Sequence, residues 1–178
     1  MSDDDRARWD QKWAEREGGD NVPAWLIRHQ SLLRGGVAVD LATGRGAAAR
    51  WLARLGYHVV AVDLSAVALQ QARAARHLLF VQADLDHWRP PPRSVDLITV
   101  FRFLDRRLFP MFREALRPGG LLIYETRTVG WLEREPGTSP SYLLQRVELL
   151  RLTSGLTVEA YLETERHAAL VARRPAER

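Results

Sequence analysis

The sequence predicts an α/β fold: a mostly parallel sheet of seven strands with helices on both faces, closed by a C-terminal antiparallel hairpin. Three observations lead there. From Val37 onward, short apolar runs alternate with helical patterns, the signature of strand–helix–strand units joined by right-handed crossovers. His58–Asp63 is almost continuously apolar, as a strand buried on both faces must be. The last two runs differ: Leu156 to Glu163 alternates apolar and polar, and His167 to Ala172 is uniformly apolar, so an edge strand with one wet face folds back on a buried neighbour.

Each element has its own signal. Asp5 to Glu17 is a polar helical stretch whose Trp9 and Trp13, four residues apart, share a face, and Gly18-Gly19 ends it. Asn21-Val-Pro23 reads as a cap and an early proline for a second helix, with Trp25, Leu26, Leu32 and Leu33 as its apolar contacts. Strands are expected at Val37–Leu41, His58–Asp63, Leu78–Gln82, Val95–Phe101 and Leu121–Glu125. Between them, a helix from Gly46 to Leu55 turns Trp51, Leu52 and Leu55 inward. Ser65 caps another running to about Ala75, with Val67, Ala68, Leu69 and Ala72 toward the sheet. Pro90-Pro91-Pro92 forces a turn. A helix from about Arg106 to Leu116 is broken by Pro118-Gly119-Gly120, and Arg127 to Ser139 is a long connection of the kind used as a lid or binding loop.

The composition narrows the class. A chain of 178 residues, 46% hydrophobic and 27% charged, is expected to form one domain with one core. Residues 1–36 are expected to cover a site on a core formed by residues 37–178. No apolar run approaches the ~18 residues of a membrane span, so no membrane partner is expected. Met1-Ser-Asp-Asp-Asp-Arg lacks the basic and apolar regions of a secretory signal, which makes a cytoplasmic location the expectation. Cysteine is absent, which removes disulfides, thiolate nucleophiles and cysteine metal sites. The five histidines show no metal-ligand spacing, and no metal is expected. The net charge of +4 invites a nucleic-acid partner, but Lys12 is the only lysine and the arginines are scattered among acids.

The chemistry concentrates where the first strand ends. Val37-Ala-Val-Asp40-Leu-Ala-Thr-Gly44-Arg-Gly46 is a strand closing on a carboxylate, then a glycine turn, then a helix. A turn that cradles a pyrophosphate usually has its first glycine where Asp40 stands. A carboxylate there repels phosphate and attracts an ammonium group, and S-adenosylmethionine carries an ammonium and no phosphate. Gly44 and Gly46 permit close backbone approach, and Ala42 stands where a third glycine often occurs. Asp63, 19 residues after Gly44, has the spacing at which a carboxylate takes up ribose hydroxyls; the alternative is an acid serving the Ser65 turn. Asp84, after Ala83, fits either the adenine amine or an ordinary loop acid, and Leu64 fits an adenine face. Phe101 and Phe103, at the end of the fourth strand, fit either the methionyl arm or the core. Arg102 either meets an anionic substrate or pairs with Asp105. Trp9, Trp13, Arg102 and Trp131 are the candidates for the acceptor pocket.

These residues resemble the class I S-adenosylmethionine-dependent methyltransferases over most of the chain from Val37 onward. The resemblance rests on Asp40-Leu-Ala-Thr-Gly44-Arg-Gly46, Val62-Asp63-Leu-Ser65, Ala83-Asp84, Asp96-Leu-Ile-Thr-Val100 and Leu116-Arg-Pro-Gly119-Gly120. Within that class the chain is similar to the small bacterial branch that includes tellurite-resistance and thiopurine-type methyltransferases. Arg8-Trp9-Asp10-Gln-Lys-Trp13, Phe103-Leu-Asp-Arg-Arg-Leu-Phe-Pro110 and Leu122-Ile-Tyr-Glu-Thr126 carry that likeness.

The resemblance implies a Rossmann-like three-layer sandwich whose last strand runs antiparallel between the fifth and sixth. It implies S-adenosylmethionine as cofactor, bound by Asp40, Ala42, Gly44, Gly46, Asp63, Leu64, Ala83, Asp84 and Phe101, with S-adenosylhomocysteine as product. The implied reaction is in-line methyl transfer to a small molecule, and no catalytic acid or base is assigned. Arsenic methyltransferases rely on cysteines, so that activity is excluded. Two other readings stand beside this one: a cofactor-binding protein without turnover, and an RNA or protein methyltransferase. The expected assembly is a monomer or homodimer. An NAD-dependent oxidoreductase is disfavoured by Asp40.

Overall fold

The structure, a computed structural model, describes residues 3–15 and 21–176. The Gly18-Gly19 break expected after the first helix lies outside the described residues. Two compact units divide the chain, Met1–Pro90 and Pro91–Arg178. The seven strands run in the order β3-β2-β1-β4-β5-β7-β6.

The first unit holds three parallel strands: β1 (Gly36–Leu41), β2 (Tyr57–Asp63) and β3 (Leu78–Gln82). In register, Asp40 lies beside Ala61, and Asp63 beside Gln82. The chain leaves β1 and β2 at their carboxyl ends through the glycine turn and the Ser65 turn. α1 (Asp3–Glu15) and α2 (Ala24–Arg28) precede the sheet. Asn21 is not the cap of α2. Pro23 takes that place, and its carbonyl accepts from the Leu26 and Ile27 N–H groups. Leu32 ends a following 3-10 turn (Gln30–Leu32), Leu33 extends beyond it, and both stay partly exposed, while Trp25 and Leu26 are buried.

α3 (Ala47–Arg54) buries Ala48, Ala49, Leu52 and Ala53, whereas Trp51 is half-buried and Leu55 exposed. Of the expected inward face only Leu52 is buried, and three alanines complete it, which lets the helix lie close on β1 and β2. Ser65 caps α4 (Ala66–Gln70) as expected, its hydroxyl accepting from the Ala68 N–H at 3.1 Å. That helix stops five residues short of Ala75. Only Ala68 is buried in it, and the exposed Gln71, Arg73 and Arg76 offer no apolar face to extend the packing.

The second unit begins with β4 (Val95–Phe101), which pairs in parallel with β5 (Leu116–Arg127). β5 starts earlier than expected. Its register against β4 jumps from Val95↔Leu116 to Leu97↔Leu121, so Arg117-Pro118-Gly119-Gly120 bulges out inside the strand rather than before it. The segment from Arg106 splits into a 3-10 turn (Arg106–Leu108) and α5 (Phe109–Ala115), with Pro110 in its first turn.

β7 (His167–Arg173) runs antiparallel to β5 and is buried from Ala168 to Ala172, and β6 (Thr157–Glu163) pairs antiparallel outside it. The hairpin is therefore as expected, but the clean alternation of β6 is not. A register shift between Val158 and Ala160 changes the side-chain phase, leaving Val158 and Leu162 exposed. α6 (Glu148–Leu152) was not anticipated. The Arg106 guanidinium holds its start, donating to both Glu148 oxygens at 2.6 and 3.0 Å and to the Ser141 and Leu143 carbonyls.

Candidate donor site at the glycine turn

β1 delivers Asp40, which is 2% exposed, to the start of the turn, where the Thr43 hydroxyl donates to it. The chain then bends through three left-handed residues: Ala42 at φ 52°, Gly44 at 57° and Gly46 at 74°. Ala42 therefore occupies a conformation that glycine takes without cost and that an L-residue holds at about 1–2 kcal/mol. The missing third glycine is thus a strained alanine in the same backbone shape, and strain of this kind concentrates at ligand sites. We expect Ala42→Gly to keep or raise stability, by up to about 1 kcal/mol after the loss of unfolded-chain restriction; thermal melts check this, and a marked destabilisation would contradict it.

Gly44 and Gly46 are also needed for space. A Cβ on Gly44 would lie 2.6 Å from the Trp13 indole, and one on Gly46 would lie 2.6 Å from the Phe80 ring. Trp13 of α1 thus rests directly on the turn, and the Arg45 guanidinium lies 5.6 Å from the indole centroid.

β2 delivers Asp63, whose carboxylate serves the Ser65 turn and also reaches the glycine turn. Oδ2 accepts from the Gly44 N–H at 2.7 Å, and Oδ1 accepts from the Ser65 N–H at 2.9 Å. One side chain therefore fixes the turn after β1 to the turn after β2. Burial pushes its carboxyl up from the ordinary range, the Ser65 and Gly44 N–H groups pull it back, and the charge of Asp10 adds to the upward push. Each carboxylate oxygen carries a second lone pair, so both can still accept from a pair of ligand hydroxyls.

The neighbouring residues fall less uniformly. Leu64 is buried, and its carbonyl accepts from Gln82 Nε2. The Ala83 N–H donates to the Asp63 carbonyl at 3.0 Å, which places Ala83 and Asp84 on the segment following β3. Asp84 Oδ1 accepts from the Asp86 N–H at 2.8 Å, and its carbonyl accepts from the His87 and Trp88 N–H groups, a compact Asx-type turn.

In the second unit, Phe101 ends β4 beside Glu125 and is half-buried. Arg102 follows in a left-handed conformation at φ 58°, its N–H donating to the Glu125 carbonyl and its side chain exposed. Asp105 is not its ion-pair partner, because Arg107 binds that carboxylate at 2.8 Å. Trp131 belongs to a 3-10 turn (Val129–Glu133) rather than to an open loop. Its Nε1 donates to Glu135, Arg127 stacks 3.9 Å from its ring centroid, and His167 meets it edge-on. Trp9, on α1, carries Lys12 over its ring at 5.0 Å.

Three groups escaped the sequence reading. Thr43 and Asp10 are polar partners of the turns, and Glu125 is a half-buried carboxylate at the carboxyl end of β5. Burial pushes Glu125 up and Arg102 opposes that shift. Thr43 lies inside the motif and was readable as a hydroxyl three residues from Asp40. The Asp10 contacts span more than fifty residues and leave no local trace. No group of three or more potential metal-ligating side chains occurs among the described residues.

Comparison with known proteins places the fold. Residues 38–120 match a family model described as a methyltransferase domain. An S-adenosylmethionine-dependent methyltransferase from Mesorhizobium loti shares the fold at TM-score 0.73 and 21% identity, over 88% of this chain and 100% of that one. Geranyl diphosphate C-methyltransferase from Streptomyces coelicolor A3(2), solved with S-adenosyl-L-homocysteine, gives TM-score 0.72 at 16% identity, over 84% of this chain and 78% of that one. Phosphoethanolamine N-methyltransferase 2 from Haemonchus contortus, solved with S-adenosyl-L-methionine, gives TM-score 0.71 at 17% identity, over 85% and 51% respectively. A comparison with curated proteins found no match. The fold is that of the Rossmann-like methyltransferases, and residues 38–120 match the methyltransferase-domain model.

Proposed function

We propose, from the match of residues 38–120 to a methyltransferase-domain model, that this protein transfers a methyl group from S-adenosylmethionine to a small molecule. We read the two units as parts of one domain, because the Mesorhizobium loti structure matches 88% of the chain. The observation that carries the donor assignment is the double hold of Asp63 on Gly44 and Ser65, with Asp40 at the head of the same turn.

Asp63 receives the ribose hydroxyls on its remaining lone pairs. Asp40 faces the ammonium of the methionine end. Ala42, Gly44 and Gly46 give the backbone approach, and Leu64, Ala83 and Asp84 serve the adenine. The cofactor supplies an electrophilic methyl on a sulfonium whose departing sulfur becomes neutral, so no group need protonate it. The chain's own task is to hold donor and acceptor in line and exclude water, and orientation alone can supply about 7–11 kcal/mol.

A small acceptor is supported by two similar structures, a methyltransferase named for geranyl diphosphate and one named for phosphoethanolamine. Membership of the tellurite-resistance and thiopurine-type branch is supported by the Arg8-to-Trp13 opening, now on α1, whose Trp13 meets the glycine turn. Incubation with methyl-labelled S-adenosylmethionine and fractionated cell extract tests the reading. Label should enter the low-mass fraction in a protein-dependent way. Label confined to RNA or protein would refute the small acceptor, and label in no fraction would refute turnover.

A further inference from the structure

We infer that Asp10 is a positioning residue: its carboxylate latches α1 to the start of α4 so that Trp13 closes the methionine end of the donor site. The inference rests on the donor reading of the glycine turn. None of α1's described side chains is fully buried, so it adds little to the core. A polar helix of 13 residues is marginal on its own in water. Something other than core burial must hold it.

Two of its described contacts end on the turns that Asp63 joins. Asp10 Oδ1 accepts from the Ser65 hydroxyl at 2.5 Å and from the Val67 N–H at 3.2 Å. Trp13, one helical turn further along the same face, lies against Gly44. Ser65 is the hub. Its N–H goes to Asp63, its hydroxyl donates to Asp10, and the same oxygen accepts from the Ala68 N–H. A ligand on Asp63 therefore sits beside residues that Asp10 and Trp13 hold, and α1 buries none of its described side chains fully. Such a helix opens and closes at little cost to the fold, and the strength of its latch sets how long a ligand stays.

The test measures S-adenosylhomocysteine association and dissociation by stopped-flow tryptophan fluorescence, with melting temperature recorded alongside. Asp10→Ala should raise the off-rate about tenfold, leave the on-rate within about threefold, and leave the melting temperature nearly unchanged. Asp10→Asn keeps a carbonyl oxygen for both donors and should restore an off-rate close to wild type. An unchanged off-rate in Asp10→Ala, with the wild type binding normally, overturns the latch and leaves the donor site standing. Loss of the fold in Asp10→Ala also overturns it, by showing that α1 belongs to the core. No binding by the wild type refutes the donor reading and the latch together.

Discussion

Asp63→Ala should weaken S-adenosylhomocysteine binding at least a hundredfold and lower stability by about 1–3 kcal/mol. The binding loss follows from two hydrogen bonds to a charged acceptor, each worth about 1.5–3 kcal/mol. The stability loss is where the structure departs from expectation. A strand-end acid that served only the ribose would leave the fold nearly untouched when removed. Asp63 instead accepts from the N–H groups of Gly44 and Ser65, and both lose their acceptor in the variant. An orphaned buried donor costs about 1–3 kcal/mol. Relief from holding a buried carboxylate offsets part of this for the pair.

The pH dependence has a definite sign. Burial raises the folded-state pKa of Asp63 above its unfolded value. The stability this side chain contributes is therefore full below the unfolded pKa and falls as pH rises through the folded one. The penalty of Asp63→Ala should shrink across that same window, and denaturant melts of both proteins from acid to neutral pH measure it. A penalty that grows with pH would contradict the burial argument.

Gly44→Ala should cost at least tenfold in S-adenosylhomocysteine affinity and lower the melting temperature by several degrees. The backbone at φ 57° charges the new side chain about 1–2 kcal/mol, or roughly 3–6 °C for a chain of this size. The methyl would also stand 2.6 Å from Cη2 and Cζ2 of Trp13, closer than two carbons can pack. α1 has no buried side chain among those described, so it yields before the sheet does, and Trp13 leaves the turn. A red shift of tryptophan emission should accompany the affinity loss. Trp13→Ala in the same background should relieve the clash without relieving the backbone strain, giving partial recovery of the melting temperature only. Wild-type affinity and emission in Gly44→Ala would show that the contact does not matter.

The parts of this molecule that were legible in the sequence are those governed by short-range rules. Periodicity placed β3 and β4 to the residue, and the Ser65 cap followed from a hydroxyl before an apolar run. The hairpin of β6 and β7 was visible in the contrast between an alternating and a uniform run. Register was not visible. The bulge at Arg117-Pro118-Gly119-Gly120 depends on how β5 meets β4, and the phase change in β6 depends on its pairing with β7. The length of α4 was overestimated because helix propensity continues past Gln70 while burial does not.

In the site, Asp40, Gly44, Gly46 and Asp63 stood out because strand ends and left-handed turns constrain residue type locally. Ala42 read as a substitution of convenience and turned out to be strained. The bonds from Asp10 to Ser65 and Val67 join segments more than fifty residues apart, and no local pattern encodes such a pairing. Glu125 follows the apolar run Leu121 to Tyr124, and its burial beside Arg102 sets it apart from an ordinary surface acid.

Isothermal titration of the full chain with S-adenosylhomocysteine, run in parallel with NAD, tests the central claim most directly. The carboxylates at the ends of β1 and β2 predict one saturable site for S-adenosylhomocysteine and no heat from NAD, whose pyrophosphate Asp40 would repel. Absence of S-adenosylhomocysteine binding at millimolar concentration, or tighter binding of NAD, would contradict it.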